Sequence, residues 1–319
     1  MNAKRWSRRP QAPLVLVLAA VAATFAPGSA IAAGGSIEIS AVARQGNELR
    51  VEGTATFVDQ PFVVLGTDPE GDGPIGQGGP LVRAAGADLT AISARTTLDG
   101  KVFMRWTLSE FPPFDPDGAP GIYYSWRLCL EGGSPCREVV AHSMRATSQE
   151  FEGVGSVWRC GSYICNSQEA SLIRADIPVT FDRSSLTVTA SLEPADFGAE
   201  LGSTIVHQGE FASPVALSWI GDRGSGHPPL ATRVDQLGDS PETAPKEYAI
   251  GARRVSLAIG PAGLAPETVS YRVTVEPSGD GAFSGWLDVE DLSGPHTIYA
   301  RACFGTDNCA YTTTDVALG

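Results

Sequence analysis

The chain of 319 residues lacks several features that would assign it to a class of partner. Basic residues are few: 23 Lys and Arg stand against 36 Asp and Glu, and the formal net charge is −13. Binding to nucleic acid requires an excess of positive charge, so we expect no nucleic acid as a partner. After the first thirty-odd residues, no apolar run is long enough to span a bilayer, and we expect no integral membrane segment in the mature chain.

Motifs for catalysis and cofactor binding are also lacking. The sequence contains no P-loop, no dinucleotide fingerprint, no His-Glu-x-x-His and no Gly-x-Ser-x-Gly. Asp222, Ser225 and His227 are close in sequence, but a catalytic triad is normally assembled from separate loops. We therefore predict a protein that is not an enzyme, and a hydrolase with an unusual site is the third alternative. Such a site would use one of the four histidines, which are His142, His207, His227 and His296.

The N-terminus has the pattern of a signal peptide. Basic residues precede an apolar stretch at 14–26, which is too short for a stable membrane anchor. Ala30-Ile31-Ala32 provides the small-x-small pattern that precedes cleavage. The Arg8-Arg9 pair leaves the twin-arginine route open beside general secretion. We predict that residues 1–33 are a signal peptide and that the mature protein is secreted from a bacterial cell.

Six cysteines occur as three close pairs, and each pair flanks turn-forming residues. Facing positions in an antiparallel hairpin bring Cβ atoms to about 4.5–5.5 Å, close to the separation that a disulfide needs. An exported chain meets an oxidising environment. The rival interpretation is a metal site, but no spacing is Cys-x2-Cys and no His stands beside a pair. We predict three local disulfides, Cys129–Cys136, Cys160–Cys165 and Cys303–Cys309.

Short segments with alternating polar and apolar residues predict antiparallel strands, and helix signals are nearly absent. The alternation at 49–57 returns at 186–192. A turn followed by a strand leads to Trp106, and a similar turn and strand lead to Trp286. The matches keep the same order, which indicates a duplication. We predict an all-β chain with a first β-sandwich at 34–149, an inter-domain disulfide hairpin at 150–170 and a second β-sandwich at 171–319.

The ends of the two repeats resemble a known architecture. Arg127 and Arg301 each stand two residues before the first Cys of a pair, and a Tyr lies two or three residues before each arginine. These endings resemble the last two strands of bacterial immunoglobulin-like and fibronectin type III-like domains. They are also similar to the closing hairpin of the enediyne-binding apoproteins, whose second disulfide has no match here. The resemblance implies two tandem immunoglobulin-like antiparallel β-sandwiches with disulfide-closed hairpins.

One loop has the composition of a cation site. Asp68, Glu70 and Asp72 alternate and are followed by Gly, as in loops that wrap Ca²⁺. The twelfth position is Gly79, where an EF-hand loop has a bidentate Glu. We name Asp68, Glu70 and Asp72 as candidate Ca²⁺ ligands, with an ordinary Asp-Gly turn as the alternative. No other cofactor is predicted.

Tryptophan bears on the function of the chain. Trp106, Trp219 and Trp286 lie in apolar strand contexts, so we expect them in the core. Exposure on one face would instead favour stacking on sugars or apolar ligands. We predict a secreted, non-enzymatic binding or structural module, whose partner is an unknown protein, glycan or small molecule. The alternative is a secreted small-molecule or glycan-binding protein with a loop or inter-domain cleft.

The signal peptide and the disulfides predict the mass of the mature protein. Cleavage is expected after Ala32 or Ala33, and every cysteine is expected to have lost its thiol hydrogen. Intact-mass spectrometry without reductant, followed by N-terminal sequencing, measures both. A protein that retains residues 1–33, or that reacts with a thiol reagent before reduction, would contradict the prediction.

Overall fold

The computed structural model describes residues 35–68, 88–110, 121–131, 136–144, 152–160, 171–206, 216–221, 232–237, 247–305 and 308–318. These residues form an antiparallel all-β structure, as predicted, with two short 3-10 helices, at Pro194–Phe197 and Pro266–Thr268, and no α-helix. None of them belongs to an apolar helix long enough to cross a membrane.

The nineteen strands in chain order are β1 (Ser36–Gln45), β2 (Glu48–Thr56), β3 (Val63–Thr67), β4 (Leu89–Thr96), β5 (Val102–Leu108), β6 (Gly121–Leu130), β7 (Arg137–Met144), β8 (Glu152–Arg159), β9 (Ser171–Asp182), β10 (Thr187–Leu192), β11 (Thr204–Val206), β12 (Ala216–Gly221), β13 (Thr232–Leu237), β14 (Tyr248–Ala249), β15 (Arg253–Gly260), β16 (Val273–Val275), β17 (Ala282–Asp288), β18 (Gly294–Phe304) and β19 (Cys309–Leu318).

The first and last strands of the chain form one sandwich, which we call the terminal set. A three-stranded sheet of order β1-β2-β17 packs on a four-stranded sheet of order β16-β15-β18-β19. Strands β2 and β17 are joined by a register that runs from Ala282 opposite Thr54 to Asp288 opposite Glu48. Residues far apart in sequence are therefore neighbours in one sheet. In chain order, the second and third strands of the sandwich are β2 and β15, and strands β3 to β14 are inserted between them.

The inserted strands, β3 to β14, form the central set. Ten of them make one long curved sheet, of order β13-β12-β6-β7-β8-β9-β10-β5-β4-β3. Within it, the order β9-β10-β5 repeats the terminal order β1-β2-β17, and β13-β12-β6-β7 repeats β16-β15-β18-β19. Strand β8 lies between β7 and β9 and joins these two halves of the central set.

Two turns show the same repetition at the level of hydrogen bonds. Gly100 and Gly281 both have positive φ, 89° and 87°, and precede β5 and β17. Thr97 N–H donates to a carbonyl four residues later, and Gly100 N–H donates back to the Thr97 carbonyl. Ser278 and Gly281 make the same two bonds. In each turn the hydroxyl side chain also donates to the Asp that precedes the glycine.

Each set has its own apolar core, which alternation in the strands directs inward. The terminal core includes buried residues of both sheets, among them Val51, Val255, Leu257, Phe283, Leu287 and Ile298. The central core is larger and contains several aromatic side chains. Its buried residues include Ile92, Met104, Trp106, Tyr124, Trp126, Val139, Val188 and Tyr248.

The strand orders bear on the predicted domains. Strands from the stretch 34–149 pair with strands from the stretch 171–319 in both sets, through β2–β17 and β5–β10. The structure does not confirm two tandem sandwiches, and the boundaries at 34–149, 150–170 and 171–319 stay a prediction. The predicted signal peptide at 1–33 and residues 161–170 of the predicted hairpin lie outside the described residues.

Two of the predicted disulfides are present. Cys129–Cys136 joins β6 to the residue before β7, with Cα atoms 4.2 Å apart. Cys303–Cys309 joins β18 to β19 at facing positions, with Cα atoms 4.1 Å apart. Cys160 is also disulfide-bonded, and its predicted partner Cys165 lies outside the described residues. Since each shown bridge closes a hairpin of six or seven residues, it constrains a local turn and not the relation between the two sets.

A buried polar junction joins the two sets where the chain leaves the terminal set and returns to it. Gly251 N–H donates to Thr96 Oγ1 at 3.0 Å, and Thr96 Oγ1 lies 2.8 Å from the Tyr248 hydroxyl. That hydroxyl donates to Gln60 Oε1 at 2.6 Å. Gln60, Thr96 and Tyr248 are all fully buried. The glycine after β18, Gly305, has φ +77° and leaves no room for a Cβ beside Gln60.

Substitution of Tyr248 by Phe is expected to destabilise the protein by about 1–3 kcal/mol, because it removes the hydroxyl that bonds to Gln60 and Thr96 inside a fully buried polar network. Equilibrium unfolding in urea measures the change. Tyr311→Phe is the matched control, since the Tyr311 hydroxyl has no hydrogen bond among the described residues. Equal stability of the two variants would contradict a stabilising junction.

Candidate functional site

The predicted cation loop is only partly described. Asp68 directly follows β3, and its N–H donates to the Thr90 carbonyl at 2.9 Å, which extends the pairing with β4. Glu70 and Asp72 lie outside the described residues. Among the residues that the structure describes, no group of three or more His, Cys, Asp and Glu side chains is placed to hold a metal ion. The Ca²⁺ site stays a prediction.

The tryptophans do not all lie in the core. Trp106 and Trp126 are fully buried and meet edge to face, with ring centroids 6.1 Å apart. Trp158 is half-buried and donates to Ser156 Oγ at 2.8 Å. Trp286 is 40% exposed, so the expectation that it is a core residue is wrong. The side chain of Trp219 lies outside the described residues.

A register difference of one residue explains the error. Buried side chains follow the turn glycine by two, four and six positions, which places Trp106 in the core of the central set. After Gly281 the same count reaches Leu287, and Trp286 falls on the opposite face. Because strand side chains alternate, a shift of one residue moves a side chain from the core to solvent.

Two of the four histidines are described. The His142 ring stacks on Tyr123, with centroids 5.3 Å apart and planes 15° from parallel. His296 lies beside the Gly294 carbonyl. Neither ring has a hydrogen bond to a described acid or hydroxyl group. His207 and His227, with Asp222 and Ser225, lie outside the described residues.

The strongest arrangement of functional side chains is on the outer face of β4 and β5, and we call it the arginine–phenylalanine face. It consists of Phe62, Arg95, Phe103 and Arg105. The Arg95 guanidinium lies 4.9 Å from the Phe62 centroid and 4.6 Å from the Phe103 centroid. The Arg105 guanidinium lies 3.4 Å from the same Phe62 ring. Two cations therefore lie near one aromatic ring. The interaction of each cation with the ring is attractive.

The register of three strands positions this face. Arg95 lies opposite Phe103, and Arg105 lies opposite Ser93 on β4 and Thr189 on β10. Arg105 Nε donates to Thr189 Oγ1 at 3.3 Å. The four members of the face are half-buried, so the rings and the sheet shield the flat sides of the guanidinium groups. The remaining N–H groups of Arg95 and Arg105 make no hydrogen bond to a described residue.

An acid acts on the charges of the face only from a distance, and none is in direct contact with them in the described part of the chain. Neither arginine forms an ion pair with an acid in the described part of the chain; the four ion pairs there involve other basic residues. Partial burial, and then the charge of Arg95, hold the pKa of Arg105 below its ordinary value, while Asp182 raises it. The Arg95 Nε is buried without a hydrogen-bond partner among the described residues. Two like charges therefore lie close together without an ion-paired acid in the described part of the chain.

Two other half-buried arginines are paired with acids. Arg174 binds both carboxylate oxygens of Asp196, at 2.7 and 2.6 Å, and Asp196 also caps a 3-10 turn. Arg127 lies 3.4 Å from the buried Glu138. These pairs fix strand β9 and the hairpin β6–β7. The contrast identifies the arginine–phenylalanine face as the better candidate for binding.

Sequence reasoning missed this face, although part of the signal was present. Phe103 and Arg105 alternate with the apolar residues of a predicted strand, so their outward direction follows from the sequence. Arg95 and Phe62 join them only through the pairing of β4 with β5 and the path of the chain before β3. Those contacts are tertiary.

Comparison with known proteins gives no match: no protein-family model, no curated protein and no solved structure matches this chain. The resemblance to immunoglobulin-like and fibronectin type III-like domains is therefore untested by any relative and stays a prediction.

The half-buried ring of His142 predicts a dependence of stability on pH. Burial lowers the pKa of His142 below its ordinary value of 6.5. As the pH falls below about 6.5, the unfolded chain takes up a proton before the folded chain does, so the free energy of unfolding falls. We expect urea midpoints to decrease over this range and the decrease to be smaller in His142→Gln. An NMR titration in which His142 has an ordinary or raised pKa would contradict this prediction.

Proposed function

We propose that the chain is an exported, non-enzymatic binding module, and that the arginine–phenylalanine face binds a ligand through an oxyanion group. The observation that carries the proposal is the pair of guanidinium groups of Arg95 and Arg105, which share the Phe62 ring without an acidic partner among the described residues.

The face contains two positive charges and no ion-paired acid among the described residues. Bringing two guanidinium groups together costs repulsion, and partial burial increases that cost because solvent screens the charges less. A carboxylate, sulfate or phosphate placed between them offsets both. Arginine suits this role, since its planar fork of N–H groups binds oxyanions with two parallel hydrogen bonds.

The aromatic rings contribute preorganisation. Phe62 and Phe103 hold the Arg95 side chain from two sides, and Thr189 holds Arg105. Side chains that are ordered before binding lose less conformational entropy when the ligand arrives. The net charge of −13 does not attract an anion from a distance, so binding depends on these local contacts and is expected to weaken with salt.

Export and architecture belong to the same proposal. The predicted signal peptide, the hairpin disulfides and the absence of a membrane-spanning helix among the described residues support a secreted, extracellular protein. The repeated strand order supports two related sandwiches of immunoglobulin-like or fibronectin type III-like type, which exchange strands instead of following one another along the chain.

The oxyanion site is tested with the full mature chain and inorganic sulfate, phosphate and citrate as probes. Arg95→Gln combined with Arg105→Gln is expected to weaken binding by about tenfold to a hundredfold, which is the value of one or two charge-assisted hydrogen bonds. Isothermal titration calorimetry at two salt concentrations measures the change.

Arg272→Gln is the control, because Arg272 is exposed on the terminal set and its side chain has no contact among the described residues. It alters the net charge but leaves the face intact. Thermal unfolding of each variant separates a loss of binding from a loss of structure. If the double variant is folded and binds the three anions as tightly as the unmodified protein, the face is not the site.

A further inference from the structure

Trp286 occupies a special place on the terminal set. It lies on the outer face of β17, five residues after Gly281, and Arg105 lies five residues after Gly100 on the equivalent strand β5. On β5 this position is covered by Phe62. On β17 it is 40% exposed, and β17 is the last strand on its side of the sheet β1-β2-β17.

The indole ring is held in a defined orientation. Arg50 lies directly opposite Trp286 in the register, and its guanidinium is 5.9 Å from the ring centroid. Arg50 is itself fixed by an ion pair of 2.6 Å to Glu52 and a hydrogen bond of 3.1 Å to Ser284 Oγ. Since these contacts restrain the indole on one side, the exposed part of the ring is a fixed flat surface. We call Trp286, Arg50, Glu52 and Ser284 the tryptophan platform.

The surroundings of the ring indicate the kind of ligand. The core of a protein–protein interface is a cluster of apolar and aromatic side chains that exclude water together. The exposed neighbours of Trp286 on this face are instead hydrogen-bonding residues, which are Glu48, Ser284 and Asp288. A single apolar ring among donors and acceptors suits a ligand that is itself apolar on one face and polar at its edges.

A pyranose ring has this character. Its axial C–H bonds form an apolar face that packs on an indole, and its equatorial hydroxyl groups project sideways. Carboxylates accept hydrogen bonds from such hydroxyls, and the Ser284 hydroxyl can donate or accept. The Arg50 charge is already paired with Glu52, so the platform offers no unpaired cation to an anionic ligand.

We propose that the tryptophan platform is a second binding site, which takes a neutral hexose unit of a glycan by stacking it on Trp286. The site is on the terminal set, and the oxyanion site is on the central set. The two sites are independent, because they share no residue.

The probes are cellohexaose, chitohexaose and maltohexaose, which are neutral and differ in linkage or in the substituent of the sugar. We expect at least one of them to shift the indole N–H resonance of Trp286, which is assigned by its loss in Trp286→Phe, with a Kd of about 1 mM. Trp286→Ala is expected to weaken binding at least about tenfold, and Trp286→Tyr to retain part of it.

Two variants serve as controls. Trp158→Phe changes a half-buried tryptophan on β8 and is expected to leave sugar binding within about twofold of the unmodified protein. The Arg95→Gln and Arg105→Gln double variant is expected to bind the sugar normally, so failure of the oxyanion site and failure of this site are distinguishable. The proposal is overturned if none of the three oligosaccharides shifts the Trp286 resonance, or if Trp286→Ala binds as the unmodified protein does.

Discussion

The pairing of β2 with β17 is the constraint on which the rest of the structure depends. It places residues of the first sixth of the chain opposite residues near its end, in a continuous register of seven pairs. The strands of the central set lie in the chain between these two paired strands. The entropic cost of closing a loop grows only slowly with its length, so a long insertion between two strands of a sandwich is tolerated if its ends remain close.

The ends do remain close, and the buried polar junction shows how. Gln60 follows the last strand before the insertion, and Tyr248 precedes the first strand after it. Their hydrogen bond of 2.6 Å, together with that of Thr96, fixes the point where the chain leaves the terminal set to the point where it returns. A fully satisfied polar network of this kind gives geometric specificity that apolar packing alone does not. The disulfides, which close short hairpins, cannot provide it.

The two sets use one structural plan with different surfaces. Both have a sheet whose third strand begins at an Asp-Gly turn of the same hydrogen-bond pattern, before β5 and β17. The fifth residue after each glycine points outward. In the central set it is Arg105, which stacks on Phe62; in the terminal set it is Trp286, beside Arg50. Cation–aromatic contacts therefore recur on the same face of both sets, with different residues in the outward position.

The sequence by itself determined the local structure. Alternation of polar and apolar residues defined the all-β class and strands such as β2, β5 and β10, because the period of a strand is two residues. Close cysteine spacing predicted the two hairpin disulfides that the structure describes. Only the tertiary structure decided which strands pair, because alternation is the same whichever strand lies alongside. That is why the pairing of β2 with β17 and of β5 with β10, the burial of Gln60 and the contact of Arg95 with Phe62 were not predictable. It is also why Trp286 was misplaced: its face depends on a one-residue register that the turn at Gly281 sets and that composition does not reveal.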